Sequence, residues 1–173
     1  MSGIATATRQ MVDLIAGTKA QLLDTRKTVP GHRLTDKLAV KHGGGTNHRM
    51  GLYDMAMIKD NHIKAAGGIS KAIKQVKATL PISVKVEVET TNLDEVKEAL
   101  QGGADIIMLD NMSSEMMKEA VALIGNKAAT EASGNITHER IREVAETGVD
   151  FISVGALTHS VRALDMSMNF EVK

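Results

Sequence analysis

An α/β fold, an incomplete (β/α) barrel of six to seven parallel strands with outer helices, is the architecture this sequence predicts. Three observations carry the prediction. Short apolar runs alternate with amphipathic stretches along the chain, the rhythm of repeated strand–helix units. The runs are apolar throughout rather than alternating, so they need cover on both faces, which is the condition of parallel strands under helices. A helix–Gly–x–Asp–strand phrase occurs twice, in Gly102-Gly103-Ala104-Asp105 and in Thr147-Gly148-Val149-Asp150. With no GxGxxG after the first strand, that repeat favours a barrel over a dinucleotide-binding sheet.

The elements follow in order. A leading helix within residues 1–19 places Ile4, Met11, Leu14 and Ile15 on one face. The first strand is Gln21–Asp24. A helix from near Leu34 stops at Gly43-Gly44-Gly45. Strand two is Met55–Ile58, and a helix covers Ser70–Val76. Strand three is Ser83–Val88, and along it Lys85, Glu87 and Glu89 share one face and Val84, Val86 and Val88 the other. Asn92 caps a helix over Asn92–Leu100, with Glu95 placed for a capping box. Strand four is Asp105–Leu109, followed by a helix Ser113–Ile124 capped by Ser113 or Ser114. Strand five is Ala128–Ala132, and Thr137 caps a helix Thr137–Thr147. Strand six is Phe151–Val154. A seventh strand is expected from Asn47–Arg49 or from Asp165–Val172. In the C-terminal stretch 164–173, Leu164, Met166, Met168 and Phe170 alternate with polar residues, the pattern of a half-exposed edge strand. All 173 residues read as one α/β-barrel domain.

Composition narrows the function. The net charge is +0, which gives no bulk attraction to nucleic acid. The absence of cysteine excludes a disulfide framework and a thiolate nucleophile. No apolar run approaches the roughly 20 residues of a membrane helix, and Met1-Ser2-Gly3-Ile4 opens no signal pattern. A cytoplasmic enzyme fits these facts. One Tyr, two Phe and no Trp make the core aliphatic.

A barrel carries its chemistry at the C-terminal ends of its strands, and the residue types there are functional ones. They include Thr25-Arg26-Lys27, Lys59, Glu89, Asp110, Ser133-Gly134 and Gly155 with His159 beyond it. His48 and Arg49 follow the three glycines; KHGGGTNHRMG lacks the GxxxxGK[ST] spacing of a phosphate loop. The cations Arg26, Lys27, His48, Arg49 and Lys59 suit a polyanionic substrate. Glu89 and Asp110 suit ribose hydroxyls, a Mg²⁺-borne ligand or a developing positive charge. The glycine turns after the last two strands suit phosphate. Zinc-ligand spacing and a Ser-His-Asp arrangement are both missing. The charges of strand three also fit an ion-pair network that only holds the barrel's shape.

The stretches LLDTRKTVPGHR, GGGTNHRMGLYDMAMIKDNHI, VEVET, DIIMLDNM, EASGNIT and ISVGALTHS resemble, in this order, the quinolinate phosphoribosyltransferases, or carboxylating nicotinate-nucleotide pyrophosphorylases. The resemblance implies a seven-stranded barrel-like domain that makes nicotinate mononucleotide, CO₂ and pyrophosphate from quinolinate and phosphoribosyl pyrophosphate, with Mg²⁺, in NAD biosynthesis. It implies that Thr25, Arg26, His48, Arg49 and Lys59 bind quinolinate and that Lys27 meets the phosphoribosyl donor. It also implies that Glu89 is the catalytic carboxylate with Asp110 beside the ribose, and that Ser133, Gly134, Gly155 and His159 hold the 5′-phosphate.

Two departures stand out. Asn135 replaces the family's usual glycine, a change that asparagine's tolerance of left-handed backbone accommodates. The family's N-terminal α/β sandwich domain, which helps build a homodimer and lends an arginine to the neighbouring site, has no counterpart in the motifs. The chain therefore reads as the barrel domain alone, a trimmed form. Two other outcomes stay open: an inactive barrel domain that keeps an anion-binding site, and a sibling phosphoribosyltransferase with a different aromatic acceptor.

Overall fold

A computed structural model describes residues 1–171. Six parallel strands form one sheet in the order β1-β6-β5-β4-β3-β2. They are β1 (Gln21–Leu23), β2 (Ala56–Ile58), β3 (Val86–Thr90), β4 (Ile106–Asp110), β5 (Ala129–Ser133) and β6 (Phe151–Ser153). The helices are α1 (Ser2–Leu14), α2 (Arg33–His42), α3 (Asp60–Ala66), α4 (Ile69–Thr79), α5 (Leu93–Gln101), α6 (Ser114–Ile124), α7 (Ile141–Ala145) and α8 (Ala156–His159).

Alternation along the strands separates two surfaces. Ile58, Val86, Val88, Ile107, Leu109, Ala132 and Ile152 are buried in one cluster with Ile73, Val96, Ala99, Met117, Ala120, Ile141 and Val144 from the helices. The other set of strand positions faces the barrel interior and is polar or sulfur-bearing: Met57, Glu89, Met108, Asp110, Glu131 and Ser133. A strand buried on both sides thus reads as continuous in burial but not in chemistry.

The repeated Asp has a structural task. Asp105, before β4, accepts from the backbone N–H of Val86 at 2.8 Å. Asp150, before β6, accepts from the N–H of Thr130 at 2.8 Å. Each aspartate therefore satisfies the first free donor of the neighbouring strand and fixes the parallel register. The glycines just upstream, Gly103 (φ 79) and Gly148 (φ 87), lie in the left-handed region that ends a helix.

Several expectations need correction. β3 begins at Val86, and Lys85 is exposed outside it, so the inward charges of that strand reduce to Glu87 and Glu89. α7 begins at Ile141 rather than Thr137. Thr137 leads in through its carbonyl, which accepts from the N–H groups of Arg140 (3.2 Å) and Ile141 (3.0 Å). The edge-strand pattern at 164–171 forms no strand among the described residues, and its apolar side chains Leu164, Met166, Met168 and Phe170 stay exposed without a surface to bury against; Val172 and Lys173 lie outside them. The additional strand from Asn47–Arg49 shrinks to one parallel bridge one residue earlier, Leu23↔Thr46. Thr46 donates to Leu22 O (2.8 Å) and accepts from Asp24 N (3.2 Å). Arg49 then reaches the carbonyl of Met55, just before β2, at 3.0 Å. The free edges of β1 and β2 are linked by this segment, not by a ladder.

Candidate active site

A cavity of about 690 Å³ opens at the C-terminal ends of the strands, the size of a small-molecule site. Thr25, Arg26, Lys27, His48, Arg49, Lys59, Glu89, Asp110, Ser133, Gly134, Gly155 and His159 all line it. Residues up to 134 positions apart in the chain converge because parallel strands end on one side.

The β1 end is braced from below. Buried Asp24 makes an ion pair with buried Lys37 of α2, accepts from the N–H of His48 at 2.8 Å and accepts from Asn47 Nδ2 at 2.6 Å. Lys37 also donates to His48 O at 3.1 Å. Arg33 ties down the next turn through Arg26 O at 3.1 Å and Met50 O at 3.4 Å. Sequence reasoning passed over Asp24, Arg33, Lys37 and Asn47. A lysine on an otherwise core-facing helical stripe was the available signal.

The cations differ in how they are met. Arg49 donates to Met55 O at 3.0 Å and contacts the sulfur of Met57 at 3.5 Å. Burial, then the nearby Arg26, pulls the pKa of Arg49 below its ordinary value. Arg26 Nε is buried with no hydrogen-bond partner. Two mutually repelling guanidinium groups, one with a dry donor, make a place that an anion stabilises. Lys59, at the end of β2, is instead paired with Glu89 Oε2 at 2.6 Å. His48 has both ring nitrogens engaged. Its Nδ1 accepts from the N–H of Arg49 at 2.8 Å, and its Nε2 lies 3.2 Å from both Glu87 Oε2 and Glu131 Oε2. Glu87 and Glu131, which sequence reasoning did not place in the site, form its floor.

The opposite wall is backbone-rich. Gly134 has φ 92, and a Cβ there would clash with Asn111. Asn135 has φ 50 and donates to Asn111 Oδ1 at 3.0 Å, while Asn111 donates to Asp110 Oδ2 at 2.8 Å. The asparagine that stands for glycine therefore adopts the left-handed backbone and adds a hydrogen bond to the Asp110 side. Gly155 has an ordinary φ, but a Cβ would stand 3.1 Å from the His159 ring. Thr158 donates to Lys27 O at 2.7 Å, joining this wall to the Arg26–Lys27 turn.

Residues 4–169 match the family model described as "Quinolinate phosphoribosyl transferase, C-terminal domain". The chain is 51% identical over its full length to "Quinolinate phosphoribosyltransferase [decarboxylating] 2, mitochondrial" of Nicotiana glauca and 52% identical to the chloroplastic "Nicotinate-nucleotide pyrophosphorylase [carboxylating]" of Arabidopsis thaliana, covering 54% of each. It spans about half the length of these curated relatives. The solved nicotinate-nucleotide pyrophosphorylase of Francisella tularensis superposes with a TM-score of 0.92 at 54% identity, covering 96% of this chain and 59% of that one. A match over nearly the whole chain, onto relatives half identical to it, shows that this protein belongs to the quinolinate phosphoribosyl transferase C-terminal domain family.

Proposed function

We propose that the chain supplies the catalytic barrel for transfer of phosphoribosyl from phosphoribosyl pyrophosphate to quinolinate with decarboxylation, giving nicotinate mononucleotide, CO₂ and pyrophosphate. The observation that carries this reading is the Arg26–Arg49 pair with its unpartnered Nε, a receptor for a carboxylate of the acceptor. Family membership supports the same chemistry.

The ring nitrogen of quinolinate attacks C1 of the ribose as the C1–O bond to pyrophosphate breaks. Glu89 and Asp110 stabilise the positive charge that develops at C1 and hold the ribose hydroxyls. The arginines orient the acceptor, which converts a two-body encounter into a positioned reaction. Lys59 is drawn between Glu89 and the incoming anion. Lys27 meets the donor, and Ser133, Gly134, Gly155 and His159 face its 5′-phosphate. The quaternised ring then accepts the electron pair left as CO₂ departs, and a proton takes the vacated carbon. Mg²⁺ arrives with the donor's pyrophosphate, as part of the substrate. The proposed location is the cytoplasm, and the proposed assembly is a homodimer.

Titration calorimetry with quinolinate, followed by a pyrophosphate-release assay with both substrates, tests this. Because the chain spans about half of its relatives' length, a second reading is an anion-binding barrel without turnover; binding with no pyrophosphate release supports it. No quinolinate binding would favour a sibling enzyme with another acceptor.

A further inference from the structure

Beneath the arginines lies a three-residue cluster that the chemistry above leaves idle. Glu87 and Glu131 are buried, at 0% and 1% exposure. Apart from the His48 ring, none of their four carboxylate oxygens has a partner among the described residues. The ring itself carries a constraint. A nitrogen that accepts a hydrogen bond has no proton. Nδ1 accepts from the N–H of Arg49, so the ring proton is on Nε2, directed at the glutamates, and the ring is neutral. Two ionised carboxylates beside a neutral ring would leave two buried charges with one donor between them, a costly state.

We propose that the Glu87–Glu131 pair retains one proton and that His48 is a neutral, Nε2-protonated positioning residue. It links β3 and β5 to the backbone of Arg49. This proton placement does not rest on the function proposed above.

The electrostatics also put one extra proton in the cluster, and the ring geometry decides where it sits. Burial first, then Glu131, raises the pKa of Glu87 against the lowering effect of His48. Burial lowers that of His48, but Glu131 and Glu87 outweigh it and carry it up to about 9. In a coupled cluster these are two descriptions of one extra proton. The Arg49 N–H blocks the ring position that proton would need, so it rests on a carboxyl. The other charged groups at the cluster are Arg49, which acts on Glu87 and Glu131, and Asp24, which holds the His48 backbone.

The same geometry weighs against a metal centre, although His48, Glu87 and Glu131 present ligand atoms within 4.8 Å of one another. An imidazole that binds a metal through Nε2 normally donates from Nδ1. Here Nδ1 accepts.

Long-range ¹H–¹⁵N spectra of the histidine-labelled chain test the assignment directly. At neutral pH, His48 should show a protonated Nε2 and a lone-pair Nδ1. Two protonated nitrogens, or a proton on Nδ1, would overturn it, as would a shift of these signals on adding one equivalent of Zn²⁺. Glu87→Gln and Glu131→Gln each replace an acid by an amide of equal shape. Each should keep the singly protonated ring, because one amide and one carboxylate carry the same charge as the half-protonated pair. A doubly protonated ring in both variants would refute the retained proton. If the unaltered chain fails to bind quinolinate, the functional reading falls while the spectra still decide the proton.

Discussion

Arg26 enters the cavity with one guanidinium donor already stripped of water and partner. A planar fork of donors recognises a carboxylate in a way an ammonium cannot. Arg49→Lys keeps the charge and loses the fork; it should weaken quinolinate binding by roughly 10- to 100-fold, the worth of one hydrogen bond to a charged group, as calorimetry will read. Glu89→Ala should lower kcat more than it raises KM, since its carboxylate acts on charge that exists only in the transition state. Unchanged turnover would remove Glu89 from the mechanism. The floor cluster has a pH signature. Burial holds the Glu87 carboxyl above its ordinary value, so the stabilising contribution of the retained proton is full below the ordinary carboxylate range and is lost as pH rises through the raised folded value. Urea midpoints should fall across that window, and the fall should flatten in Glu131→Gln.

The elements divide between those held locally and those held from a distance. α5 is held locally: Asn92 accepts from the N–H groups of Asp94 (3.1 Å) and Glu95 (3.0 Å). Glu95 reaches back not to Asn92 but to the N–H of Thr91 at 2.7 Å, so the capping box closes one residue early. Asn92→Ala should cost about 1 kcal/mol in denaturant unfolding. α2 is held from a distance, by Lys37 buried against Asp24. Removing one partner strands the other charge, so Lys37→Met should cost about 3–5 kcal/mol, well beyond the loss of an exposed lysine. Because Asp24 also holds His48 and Asn47, the same variant should weaken anion binding.

At the scale of the whole molecule, the apolar C-terminal stretch is uncovered. Leu164, Met166, Met168 and Phe170 are exposed. Exposed apolar residues in a row favour association, so sedimentation should show mass rising with concentration, and a monomer at all concentrations would count against it. The chain is about half as long as its curated relatives. Turnover compared with and without the rest of such a protein will show how much of the catalysis the barrel carries alone.

The sequence by itself determined that the strands are parallel, where most of them run and which residues stand at their C-terminal ends. Those facts rest on local signals: uninterrupted apolar runs, glycine stops and capping residues. Only the tertiary structure decided which charges meet. Lys59 and Glu89 lie 30 residues apart, Asp24 and Lys37 13 apart, and His48 finds Glu87 and Glu131 on two different strands. Periodicity places a side chain on a face, but pairing depends on distances between strands. For that reason Glu87, Glu131 and Lys37 looked like ordinary charges in the chain and turned out to be the buried frame of the site.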